Sequence, residues 1–149
     1  MNKAQTLYEL VWMSRPLMQA AEACVERGLT DTGLTVRMRA VLEMLLAHGA
    51  MPVPEIAARL DIQRQYVQLM VNETLASGFT VQQPNPRHKR SPLVGLSDQG
   101  RELIRDITQK EMDLMAAMGA GFSDAEVASA LRVVHAVTAK LKTLAGEAE

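Results

Sequence analysis

Between positions 64 and 72 the chain carries Arg64, Gln65, Tyr66, Gln68 and Asn72, side chains rich in paired hydrogen-bonding groups. Arg matches the major-groove edge of guanine bidentately, and Gln or Asn matches adenine in the same way. No acid stands in this segment before Glu73, so a phosphate backbone would meet little repulsion. Further on, Arg87, His88, Lys89 and Arg90 form an unbroken basic run. That chemistry suits phosphates, or a cation carried into a minor groove. From Ile62 to Ser97 four bases face one acid, a local charge of +3, while the rest of the chain carries −4 and the whole −1. Taken separately, a polar helix face is ordinary surface and a charge run is a solvated loop. Together, in this order, they point to DNA.

The elements that must position these residues can be read from spacing. A first helix is expected over 6–28, with Leu7, Leu10, Val11, Leu17, Met18, Ala21 and Val25 near helical periodicity. Pro16 should kink or briefly break it. Thr35 reads as the N-cap of a helix running to about His48, with Met38, Val41, Leu42, Leu45 and Leu46 inward. A third helix is expected over Pro54 to Leu60, a turn at Asp61 and Ile62, and a fourth over about Arg64 to Ala76. Two helices about three residues apart have helix-turn-helix spacing. Thr80 to Gln82 and Leu93 to Leu96 read as a hairpin whose tip holds the basic run. Ser97 should cap a helix to about Met118. Gly119 and Gly121 should end it, and Ser123 with Glu126 forms a capping-box pattern for a last helix. The final Gly-Glu-Ala-Glu is expected to fray. The fold class is therefore mainly α with a small β-hairpin wing.

With these stretches in order, the sequence resembles the MarR family of bacterial winged helix-turn-helix regulators. The resemblance is carried by Gly33-Leu-Thr35, Val41-Leu-Glu-Met-Leu45, Pro54-Glu-Ile-Ala-Ala-Arg-Leu60, Arg64-Gln-Tyr-Val-Gln68, Leu75-Ala-Ser-Gly78, Asn85-Pro86, Arg90 and Leu93-Val-Gly-Leu-Ser-Asp-Gln-Gly100. It implies a single domain over 1–149. The DNA-binding lobe would lie over about 35–97, with dimerisation helices over about 1–34 and 98–149. It further implies a homodimeric transcriptional regulator, expected to repress from a palindromic double-stranded DNA operator, and many members release DNA when a small aromatic acid or an oxidant arrives. In the family the wing Arg matching Arg90 pairs with an Asp two residues before it. Here that position is His88, so Arg90 must be held another way. Gln63 stands where a Ser often caps the recognition helix, and Gln is a poorer cap.

Other chemistries find less support. His48, His88 and His135 are far apart and Cys24 is alone, so neither a metal nor a disulfide is expected, nor any cofactor. Neighbouring Glu22 and Glu26 argue for a buried or inert Cys24 rather than a redox switch. No glycine-rich phosphate loop or nucleophile motif appears, so an enzyme is not expected. Trp12, Arg15, Met18 and Met44 are a candidate pocket for an aromatic carboxylate, although Met at helical spacing is usually core filler. No apolar run reaches the roughly 18 residues of a membrane span, and Met1 to Gln5 lack a signal-peptide layout, so a cytoplasmic protein is expected. The competing reading is a winged-helix protein-interaction module without a DNA target.

Overall fold

A computed structural model describes residues 1–146. The expected fraying of the terminal Gly-Glu-Ala-Glu falls mostly on 147–149, outside the described residues. The helices are α1 (Lys3–Gly28), α2 (Val36–His48), α3 (Val53–Leu60), α4 (Arg64–Ala76), α5 (Asp98–Met118) and α6 (Asp124–Leu144), with a short 3-10 turn over Gly119–Gly121. Strands β1 (Met51–Pro52), β2 (Thr80–Gln83) and β3 (Leu93–Leu96) form an antiparallel sheet in the order β1-β3-β2. This is the mainly helical winged-helix architecture that the sequence predicts. By contact the chain divides into two units, Ala20–Glu111 and Met1–Gln19 with the residues from Met112 onward.

Within Ala20–Glu111 the core has two parts that share α2. Val41 and Leu45 pack with Met51, Ile56, Ala57, Val67, Met70, Val71 and Val94. Met38 and Leu42 turn to the other side and join Leu29, Leu34, Phe79, Ile104 and Ile107. One amphipathic helix thus fixes the helix-turn-helix and wing on one flank and α5 on the other. Thr35 caps α2 by accepting from the Met38 N–H at 3.2 Å. Arg39 of α2 pairs with Glu43 one turn on and, through two nitrogens, with Glu111 of α5. The hydrogen bond to Glu111 raises the Arg39 pKa, burial opposes that, and the charge of Glu43 adds to it. A cation with a raised pKa contributes stability below its ordinary value, so this contribution is constant across neutral pH.

Four sequence expectations need correction. Pro16 does not break α1, which is continuous from Lys3 to Gly28. Proline's locked φ is itself helical, so the ladder loses one hydrogen bond and resumes. The helix also starts earlier than position 6, because Asn2 accepts from the Gln5 N–H at 2.9 Å and Gln5 accepts from the Asn2 N–H at 2.8 Å. The hairpin has a third strand: Met51 pairs with Val94 and Pro52 with Leu93. Cys24 is exposed rather than buried.

The junction of α4, β2 and α5 sets where the wing stands. Ser97 donates from its hydroxyl to the Gly78 carbonyl at 2.6 Å and accepts from the Gly100 N–H at 3.0 Å. Thr74 and Thr80 are buried, and their hydroxyls meet at 2.8 Å, tying α4 to β2. A Cβ on Gly100 would lie 2.0 Å from the Phe79 carbonyl oxygen, so only glycine lets α5 approach so closely. The obstruction is backbone and cannot rotate away. Gly100→Ala should therefore lower stability by about 1–3 kcal/mol, as overpacking does. Urea unfolding at one protein concentration checks this, and an unchanged midpoint would deny the close approach.

Candidate nucleic-acid interface

Three residues, 61–63, join α3 to α4. Asp61 takes a left-handed conformation, φ 55°, and its N–H closes onto α3 carbonyls. That sharp corner turns the chain into α4. Gln63 occupies the N-cap of α4 without a side-chain cap hydrogen bond, as its residue type predicts. The first N–H groups of α4 are consequently left for an outside acceptor such as a phosphate.

Val67, Met70, Val71 and Thr74 bury one side of α4. The opposite side leaves Arg64, Gln65, Tyr66, Gln68 and Asn72 exposed. Gln68 donates from Nε2 to Asn72 Oδ1 at 2.9 Å. One Nε2–H and the Oε1 of Gln68 stay open, which is the donor–acceptor pair adenine requires. Glu73, the one acid of the basic stretch, pairs with Arg37 of α2 at 3.0 Å, so its charge is matched.

Arg87, His88, Lys89 and Arg90 are all exposed at the hairpin tip. Asn85 organises this turn. Its Oδ1 accepts from the Arg87 N–H at 3.1 Å, and its Nδ2 donates to the Ser91 carbonyl at 2.9 Å. Backbone bonds from His88 to Asn85 and from Ser91 to His88, both 3.2 Å, complete it. The backbone under Arg90 is thereby held without an Asp at position 88. Among the described residues Arg64, Arg87, Lys89 and Arg90 form no salt bridge.

The wing and α4 meet in a concavity of about 320 Å³. Val53, Pro54, Val71, Pro92 and Val94 give it an apolar floor, and Arg64, Gln65, Gln68, Gln82, Arg90 and Ser91 line it with polar groups. The structure therefore brings Arg64, Gln65 and Gln68 of the helix to the same hollow as Arg90 of the wing. Tyr66, Asn72, Arg87, His88 and Lys89 do not line it. Pro84, Asn85 and Pro86 stand in the sequence as a turn signal, and only the structure adds the two Asn85 side-chain bonds across the tip. Sequence reasoning passed over Leu69, exposed on α4.

The remaining candidates lie elsewhere. Trp12 is exposed on α1, with the Tyr8 ring 6.1 Å away and the Arg15 guanidinium 6.0 Å from its centroid. Met18 is exposed on the same helix, while Met44 packs against the core beside α3 and α4. Among the described residues no group of His, Cys, Asp or Glu could hold a metal ion, and no helix is long and apolar enough to cross a membrane.

No protein-family model matches the chain. It is similar to the crystal structure of MarR family transcription regulator SP03579, with a TM-score of 0.90 and 34% identity, covering 98% of this chain and 97% of that one. An uncharacterized protein of Mycobacterium tuberculosis is 38% identical over 66 residues, 44% of this chain. The match spans 46% of that relative, so the chain covers about half of its length. The fold also recurs in the crystal structure of an S. aureus MepR–DNA complex, with a TM-score of 0.78, 15% identity and coverage of 87% and 96%.

Proposed function

The chain belongs to the MarR family of transcription regulators, and from that premise we propose that it works as a homodimer that binds a palindromic double-stranded DNA operator and represses transcription there. α4 enters the major groove and reads bases with Arg64, Gln65 and Gln68, with Tyr66 and Asn72 beside them. The wing follows the backbone with Arg87, His88 and Lys89 and places Arg90 over the neighbouring minor groove. The observation that carries this reading is the shared hollow in which Arg64, Gln65 and Gln68 meet Arg90, with no acid lining it. Base-reading groups and a minor-groove cation thus share one junction, as a duplex with adjacent grooves would require.

The homodimer reading rests on apolar residues left uncovered. Leu7, Trp12, Met13, Leu17 and Met18 on α1 are exposed, as are Val127, Leu131, Val134 and Leu141 on α6, and neither helix has a buried residue. A second copy offers the same stripes for isologous packing. A small aromatic effector belongs to the same proposal, and Arg15 beside Trp12 offers the cation and ring that an aromatic carboxylate would use.

The test is base preference. Arg64→Ala or Gln65→Ala should relax selection at one position per half-site, at a cost of about 1–3 kcal/mol for a bidentate contact. Affinity for the preferred and for scrambled duplexes, measured side by side, checks it. Equal losses on both would reassign these residues to phosphate, and no duplex binding by the unaltered chain would favour the protein-interaction module.

A further inference from the structure

The buried side of α4 is marked by Val67, Met70, Val71 and Thr74. At 3.6 residues per turn, a side chain two places from both Val67 and Val71 points about 160° away from each. That side chain is Leu69, and 61% of it is exposed. Gln65 and Asn72, one turn to either side, share its outward row and are exposed as well. Leu69 joins neither core cluster. Scattered exposed leucines are common on protein surfaces. This one differs in its place, at the crest of the helix that carries Arg64, Gln65, Gln68 and Asn72, whose one acid, Glu73, is paired to Arg37.

An apolar crest flanked by amides complements one feature of the major groove. Thymine alone among the four bases presents a methyl group there, and apolar side chains read it by contact. We propose that Leu69 is a specificity-determining residue whose side chain packs on the C5-methyl of a thymine at the centre of each half-site. The assignment rests on the DNA-binding reading above. The Gln68–Asn72 hydrogen bond fits beside it. Gln68 keeps one N–H and its carbonyl oxygen for an adenine on a neighbouring pair, and Asn72 steadies that amide from the same face. Leu69 then discriminates thymine from cytosine by the methyl, without a hydrogen bond of its own.

The experiment removes the methyl and nothing else. Duplexes enriched from a random library are remade with deoxyuridine in place of each half-site thymine in turn. They are titrated with the full chain and with its Leu69→Ala and Leu69→Met variants. The unaltered chain should weaken about three- to fivefold per half-site at one thymine position, the effect of one desolvated methyl. Leu69→Ala should bind the thymine and uracil duplexes equally at that position, while Leu69→Met should keep discrimination. Leu69 is exposed, so the variants should retain the fold, and circular dichroism checks this. Unaltered protein that binds its duplex yet senses no thymine methyl overturns the assignment, as does Leu69→Ala with undiminished discrimination. If Leu69→Ala instead binds DNA normally but loses dimerisation, the leucine faces a second copy and the proposal is again overturned. Failure to enrich any duplex removes the DNA-binding reading itself, a different result from methyl-blind binding.

Discussion

A chain carrying Leu131→Asp together with Val134→Asp is expected to run as a monomer at micromolar concentration and to lose operator affinity by roughly a hundred- to ten-thousandfold. Both residues are about half exposed on α6, at 57% and 46%, so the charges violate no packing within the protomer. The two core clusters lie outside α6, and the DNA-binding elements should remain folded. The charges act only where a second copy would cover these leucine and valine positions, because burying unpaired carboxylates at an apolar interface is costly. A monomer holds one half-site, and losing the linked second site forfeits an avidity of about 10²–10⁴. Light scattering, circular dichroism and operator titration together check the result. A doubly substituted chain that stays dimeric would place the dimer interface elsewhere.

Removing the wing cations should have the second large effect. Arg87→Ala with Lys89→Ala deletes two exposed charges that face no acid partner. Each phosphate contact contributes about 0.9 to the slope of log affinity against log salt, and a dimer loses each contact twice. The slope should fall by about two to four units, and at physiological salt the affinity should drop on the order of a hundred- to a thousandfold. The loss should be alike for preferred and scrambled duplexes, because phosphates carry no sequence. Arg90→Ala should behave differently. It should also erase a preference for A·T-rich flanks, whose narrow minor groove attracts an arginine. Titrations at several salt concentrations separate the two behaviours. An unchanged slope after losing Arg87 and Lys89 would remove the wing from the interface.

What could be read in advance were features held by local chemistry. The caps at Thr35, Ser97 and Ser123 each bond an N–H three residues on, and such bonds depend only on nearby sequence. The three-residue turn before α4 was legible for the same reason. Features made by distant partners were not. Met51–Pro52 is a strand only because β3 runs beside it. The Arg39–Glu111 pair and the Thr74–Thr80 contact join positions that no periodicity connects. The demand for glycine at position 100 comes from the Phe79 carbonyl, which folding brings against it. For the candidate site, the residue types on α4 and the wing were plain in the sequence. Their convergence on one hollow required the fold, whereas the Gln68–Asn72 bond joins positions four apart on a single helix and is local. Leu69 escaped because an apolar residue on a helix is ordinarily assumed to point inward, yet its offset from Val67 already placed it outside.

The most direct measurement is enrichment of duplexes from a random library by the unaltered chain at about physiological salt. A homodimeric operator-binding protein should enrich an inverted repeat whose half-site centres lie about one helical turn, or a multiple of it, apart, with A·T-rich flanks beyond each half-site. Enrichment of a single half-site without its inverted copy would contradict the homodimeric reading. No enrichment over the starting library would contradict sequence-specific DNA binding altogether.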